Sequence, residues 1–158
     1  GKLPTPAESS RPSRPAFRRP ASAAKIRPMF WYSRRLDSGL VVMHARPEHA
    51  AQLEALQLVC FPTLADEERF KARHYRKHLA IFDEGQFVAL DGDRAVGATA
   101  TIRLPFDFGH ITHTFGDIIQ GGWLTSHDPG GDWLYGADIG VDPDYRGQGL
   151  ATALSAAR

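Results

Sequence analysis

The sequence predicts an α/β domain, and three stretches carry that prediction. Residues 85–104, "GQFVALDGDRAVGATATIRL", place two β-rich runs around Asp91-Gly92, a hairpin signal. Residues 47–61, "PEHAAQLEALQLVCF", bring Leu53, Leu56 and Cys60 to helical spacing. Residues 133–158, "WLYGADIGVDPDYRGQGLATALSAAR", run from an apolar strand through a glycine-rich turn into a run of good helix formers.

In chain order, folded structure is expected to begin near Leu40, where "LVVMHA" reads as a short strand. Pro47 suits the first position of the helix that follows, and Phe61-Pro62 ends it. Thr63 with Asp66 resembles a capping box opening a second helix through "DEERFKARHYRKHL". Ala72, Tyr75 and Leu79 share one face of that helix, and its many charges form the solvated face. The hairpin comes next. The segment from Pro105 to Asp132, rich in Gly, Asp and His, exceeds the usual loop length, so short elements or a built site are expected in it. The last strand is Trp133–Val141, followed by the turn "DPDYRGQG" with Pro143 in its second position. The order is β-α-α-β-β-β-α.

The chain of 158 residues suffices for one domain with a core, and no apolar run approaches the roughly 20 residues of a membrane span. One cysteine, Cys60, excludes an internal disulfide framework and fits a reducing, cytoplasmic setting; its place in an apolar helical stripe reads as packing. The formal net charge of +1 hides an asymmetry. Residues 1–37 hold nine Lys/Arg against Glu8 and Asp37, a net of +7, which leaves −6 for residues 38–158. Such a tail can bind nucleic acid or anionic membrane, and it has the acid-poor composition of a transit peptide. Its density of proline and lack of apolar residues favour a disordered leader over residues 1–37, without packed contacts to the domain at 38–158.

A strand, a glycine turn and a helix start make an anion site, because the first helical N–H groups lack intrahelical partners and carry the positive end of the helix dipole. Gly147 and Gly149 let a bulky anion approach the backbone, and Arg146 adds positive charge. Nucleotide motifs fit poorly. The P-loop string is absent, and the dinucleotide fingerprint fails at Thr152. A plain turn is the bland alternative.

The residues Val141-Asp-Pro-Asp-Tyr-Arg146-Gly-Gln-Gly149-Leu-Ala151 resemble the acetyl-coenzyme A motif of GNAT-type N-acetyltransferases, with Arg146, Gly149 and Ala151 at its three fixed positions. The order of elements from Leu40 onward resembles that family too. The stretches "HLAIFDEGQFVAL" and "HDPGGDWLYGADIGV" also resemble the acetyltransferase domain that precedes a carbon–nitrogen hydrolase domain in some bacterial proteins. The resemblance implies a mixed, mostly antiparallel sheet flanked by helices. It also implies that the chain stops just after the cofactor-binding helix begins, as the amino-terminal part of an acetyltransferase domain.

For chemistry, the resemblance implies acetyl-CoA as cosubstrate and direct attack of a primary amine on its thioester. Main-chain N–H groups of Arg146, Gly147, Gln148, Gly149, Leu150 and Ala151 would cradle the pyrophosphate. Ile139, Gly140 and Val141 would pair with the pantetheine arm, and an N–H there would polarise the thioester carbonyl. The amine must lose a proton first, and Asp138 is the candidate base. Strand alternation puts Gly136, Asp138 and Gly140 on one face, with open space beside the carboxylate. Asp138 could instead only accept hydrogen bonds from the turn backbone. No metal is called for: His110, His113 and Asp117 lack a strong ligand spacing. Trp123, His127 and Asp128 could line an amine pocket or serve as turn and packing residues. A non-catalytic half-domain with weak coenzyme A binding is the alternative to an active enzyme. Nucleic acid is an unlikely partner, and no membrane contact is expected.

Overall fold

The computed structural model describes residues 32–105 and 119–158. Five strands form one sheet in the order β1-β2-β3-β4-β5: Ser33–Arg35, Val41–His44, Phe87–Asp91, Arg94–Leu104 and Trp133–Val141. Every neighbouring pair is antiparallel. Among the described residues, three α-helices accompany the sheet: α1 Ala50–Cys60, α2 Ala72–Phe82 and α3 Leu150–Ala157.

Helices cover both faces, which is why β3 and β4 are buried almost continuously instead of alternating with solvent. On one face Leu53, Leu56 and Cys60 of α1 and Tyr75 and Leu79 of α2 pack against Ala98, Ala100, Ile102 and Leu104 of β4. On the other, Leu150, Ala153 and Leu154 of α3 pack against Val42, Phe87, Ala89 and Val96. Burying each large aliphatic side chain contributes about 1.5–3 kcal/mol. A hairpin forms here as expected, but its turn lies one residue later than Asp91-Gly92: Asp91 pairs with Arg94, and Gly92, at φ +61°, takes the first central position, where a type II′ turn needs a positive φ.

Two elements depart from expectation. The helix expected from Asp66 is broken. A single 3₁₀ turn spans Asp66–Glu68, the chain then extends at Arg69, and α2 starts only at Ala72. The cause is Phe70, which is drawn into the core while its N–H donates to Gln57 Oε1 at 3.0 Å, a bond that a continuous helix could not make. The backward hydrogen bond at the start of this turn runs from Ala65 N to Glu68 Oε1 (2.9 Å), two residues later than the expected Thr63–Asp66 box.

Strand structure is also present ahead of Leu40, at Ser33–Arg35. β1 pairs with β2, Tyr32 N donates to His44 Nδ1 (2.9 Å), and the Tyr32 ring meets Phe87 edge-on at 5.7 Å. Residues 32–37 therefore do contact the domain, against expectation. All three β1 side chains are exposed, so main-chain pairing holds this strand and no apolar pattern announces it. The rest of the expected leader, residues 1–31, lies outside the described residues.

Candidate functional site

The site forms where edge strand β5 runs into the glycine turn. Antiparallel pairing carries β5 along β4 from Leu104↔Trp133 to Gly97↔Val141. At the strand end Asp142 N donates to Val96 O (2.8 Å), and Asp142 Oδ1 accepts from Asp144 N (2.9 Å), which starts the 3₁₀ turn Pro143–Tyr145. The hairpin tip clamps this turn from the side. Tyr145 Oη donates to Asp91 Oδ2 (2.5 Å), Arg94 reaches Asp142 Oδ2 (3.4 Å), and the Arg94 guanidinium lies 5.8 Å from the Tyr145 ring centre. The bond to Asp91 raises the Tyr145 pKa, so the hydroxyl keeps its proton.

Gly147 (φ +81°) and Gly149 (φ +79°) then turn the chain into α3, in backbone conformations that disfavour any side chain. A Cβ at either position would meet nothing within 4 Å. The protein therefore leaves open space above the turn backbone, next to helical N–H groups that have no intrahelical partner.

A cleft of about 360 Å³ occupies that space. Ile139, Gly140 and Val141 of the strand line it, with Arg146, Gly147 and Gly149 of the turn and Leu150 and Ala151 of the helix. Two predicted residues lie elsewhere. Gln148 lines a neighbouring groove between α3 and the β1–β2 turn, and Asp138 is not in the cleft wall. Arg146 is present but engaged: its Nε donates to Val141 O at 3.1 Å, folding the side chain back over the strand end. Sequence reasoning missed Phe61, Tyr145 and Thr152 as lining residues. It read Cys60 as packing, and Cys60 both packs and lines the cleft. Burial raises the Cys60 pKa to about 11, so the thiol stays protonated.

Asp138 lies beneath the strand, toward α1. The expected face-sharing with Gly136 fails, because the β4–β5 register shifts between Ala100↔Asp138 and Thr101↔Gly136, leaving Ala137 as an extra, bulged residue. A Cβ on Gly140 would meet Cys60 Sγ of α1 at 3.1 Å, whereas one on Gly136 would meet Arg158 beyond α3 at 2.6 Å. Asp138 thus shares its face with Gly140 alone. Gln57 Nε2 donates to Asp138 Oδ2 at 2.8 Å, and Thr99 Oγ1 donates to its main-chain carbonyl at 2.8 Å. Desolvation raises the Asp138 pKa from 3.8 to about 7, and hydrogen bonds from Gln57 and the Ile139 N–H pull it back only in part. A carboxyl poised near neutrality can exchange protons with an amine.

The other candidates fall apart from this site. Trp123 packs on His74 (4.5 Å between rings), His127 stacks on Phe82 (4.5 Å) and accepts from Arg103 N (3.0 Å), and Asp128 Oδ1 accepts from Gly130 N (3.0 Å). These are packing and turn roles. His110, His113 and Asp117 lie outside the described residues. Among those described, no helix is long and apolar enough to cross a membrane.

Comparison with known proteins agrees with this fold. Two proteins of Bacillus subtilis (strain 168) are similar. "Probable hydrolase YhcX" is 32% identical over 124 residues, covering 78% of this chain and 24% of that protein. "Uncharacterized N-acetyltransferase YkwB" is 27% identical over 130 residues, covering 82% of this chain and 58% of that protein. The chain therefore spans less than two thirds of either relative. Among solved structures, the GphF GNAT-like decarboxylase in complex with isobutyryl-CoA superposes with a TM-score of 0.60 at 24% identity, over 73% of this chain and 55% of its own. The loading GNATL domain of CurA from Lyngbya majuscula does so with a TM-score of 0.61 at 19% identity, over 74% and 55%. These likenesses establish the fold. Residues 50–157 match the Acetyltransferase (GNAT) family, and the chain belongs to that family.

Proposed function

We propose that the cleft binds acetyl-CoA and that the protein transfers its acetyl group to a primary amine. The observation that carries this reading is the open space at Gly147 and Gly149, where the turn backbone is left bare beside the start of α3. Family membership supports acyl transfer. The isobutyryl-CoA held by one structural neighbour supports a coenzyme A thioester as the ligand class. When bound, that thioester would supply the activated acyl group, its carbon–sulfur bond breaking as the amide forms and coenzyme A leaving as the thiol with the second proton of the amine.

The remaining work falls to this chain's residues. Main-chain N–H groups from Gly147 to Ala151 would receive the pyrophosphate. The outward main-chain groups of β5 would hold the pantetheine arm. Since the Val141 carbonyl is already taken by Arg146 and the Ile139 N–H by the Asp138 carboxyl, this falls to the Ile139 carbonyl and the Val141 N–H. Asp138, ionised above about pH 7, would take the proton that an ammonium must lose before attack. The acceptor is a primary amine reaching the site from solvent in the cytoplasm, with no membrane or nucleic acid involved.

The test is kinetic. With acetyl-CoA and a simple primary amine such as benzylamine, turnover should rise with pH through about 7. Asp138→Asn should lower kcat by about 100-fold or more while coenzyme A affinity stays within about twofold. If affinity fell in step with kcat, Asp138 would be a structural residue of the cleft and not its base.

A further inference from the structure

Gln57 stands behind Asp138, at a position that no sequence motif marks. It lies on α1, is 5% exposed, and makes two bonds that point in opposite directions. Its Oε1 accepts from Phe70 N at 3.0 Å, and its Nε2 donates to Asp138 Oδ2 at 2.8 Å. The first bond decides the second. Because Phe70 N–H can only donate, the amide oxygen must face it, and the amide cannot flip to offer Asp138 an acceptor. The break between the 3₁₀ turn at Asp66–Glu68 and α2 frees that N–H, so the irregular entry to α2 has a use.

Among the described residues, Gln57 supplies the helix side chain that hydrogen-bonds the Asp138 carboxylate. The titratable groups facing Asp138 are Tyr75 from α2 and Cys60 from α1. Burial holds both in their protonated forms. On its own strand Asp138 has the Ile139 N–H and, at its carbonyl, the Thr99 hydroxyl.

We propose that Gln57 is a positioning residue that fixes the Asp138 carboxylate through Oδ2, so that a proton taken up by Asp138 goes to the other oxygen. A donor that cannot become an acceptor favours the ionised carboxylate, and offsets part of the desolvation that opposes it. This proposal rests on the reading of Asp138 as the base only for its kinetic arm. The structural arm concerns the carboxyl alone.

The test follows the Asp138 carboxyl directly, by carbon NMR of the full chain labelled at aspartate, with Asp138→Asn assigning the signal. Gln57→Met keeps the volume and removes both hydrogen bonds. It should raise the Asp138 midpoint by about one to two pH units. Gln57→Glu keeps an acceptor for Phe70 N–H, which guards the fold, and should raise the midpoint further by setting a second carboxyl beside the first. The acid limb of the rate profile with acetyl-CoA and benzylamine should move by the same amount, with coenzyme A affinity unchanged. A folded Gln57→Glu variant whose Asp138 midpoint stays within about 0.3 units of the parent overturns the proposal. A midpoint that moves while the rate profile does not supports the positioning role, and removes Asp138 as the base.

Discussion

Gly140 and Gly149 both line the same cleft, yet they lack a side chain for opposite reasons. At Gly140 the space is filled: a Cβ would press on Cys60 Sγ at 3.1 Å and on Cys60 Cβ at 3.3 Å. At Gly149 the space is empty, and the backbone is left-handed at φ +79°. The first glycine lets α1 approach the strand. The second leaves backbone bare where nothing of the protein covers it. The comparison extends to whole regions. The α1 side of β5 is packed and desolvated, and it raises the Asp138 pKa; the turn side is open and lined by main-chain groups. A cleft with one filled wall and one bare wall is suited to hold a ligand against the bare wall while a perturbed carboxyl waits behind the other.

That contrast can be broken from either side. The largest expected stability effect is at Asp138 on the filled side. Its pKa is raised in the folded state, so its contribution is fully present below the unfolded value near 4 and is lost as pH rises through about 7. Asp138→Asn should therefore stabilise the protein by on the order of a few kcal/mol at about pH 8, and by little at about pH 4, in denaturant titrations at the two pH values. An equal effect at both would mean that the carboxyl is not desolvated as described. Next comes Gly140→Val, which should cost about 1–3 kcal/mol by overpacking against Cys60 and Phe61. Adding Cys60→Ala should recover part of that loss, and strict additivity of the two changes would contradict the contact. The smallest effect is expected on the open side: Gly147→Ala should cost about 1 kcal/mol, from backbone strain without any clash. A melting curve that falls as far for Gly147→Ala as for Gly140→Val would erase the distinction.

Much of this was legible in the sequence because it is local. The strand Trp133–Val141 and the helix from Leu150 have the bounds expected, and the hairpin expected at Asp91-Gly92 closes one residue later, at Gly92-Asp93. Of the cleft residues between Ile139 and Ala151, all but Tyr145 are expected from the glycine turn and the family it resembles, whereas Gln148, also expected, lies outside the cleft. What stayed hidden depends on contacts between distant parts of the chain. The bulge at Ala137 turns Gly136 to the opposite face, and a bulge is a property of two strands in register that one strand's pattern cannot announce. Gln57 reads as a polar residue beside an apolar stripe, and only the fold brings it to Asp138. β1 escaped notice because its side chains are all exposed.

On the proposed function, the bare backbone at Gly149 receives the pyrophosphate of coenzyme A. Isothermal titration of coenzyme A into the parent chain and into Gly149→Val tests it most directly, with thermal melting to verify that both are folded. A valine at φ +79° would also place its side chain in the open space, so the account predicts measurable binding by the parent and none by a folded Gly149→Val variant. Acetyl-pantetheine, which lacks the pyrophosphate, should bind the two chains about equally. A folded Gly149→Val that bound coenzyme A as tightly as the parent would contradict the account, reducing both glycines to residues that merely turn the chain.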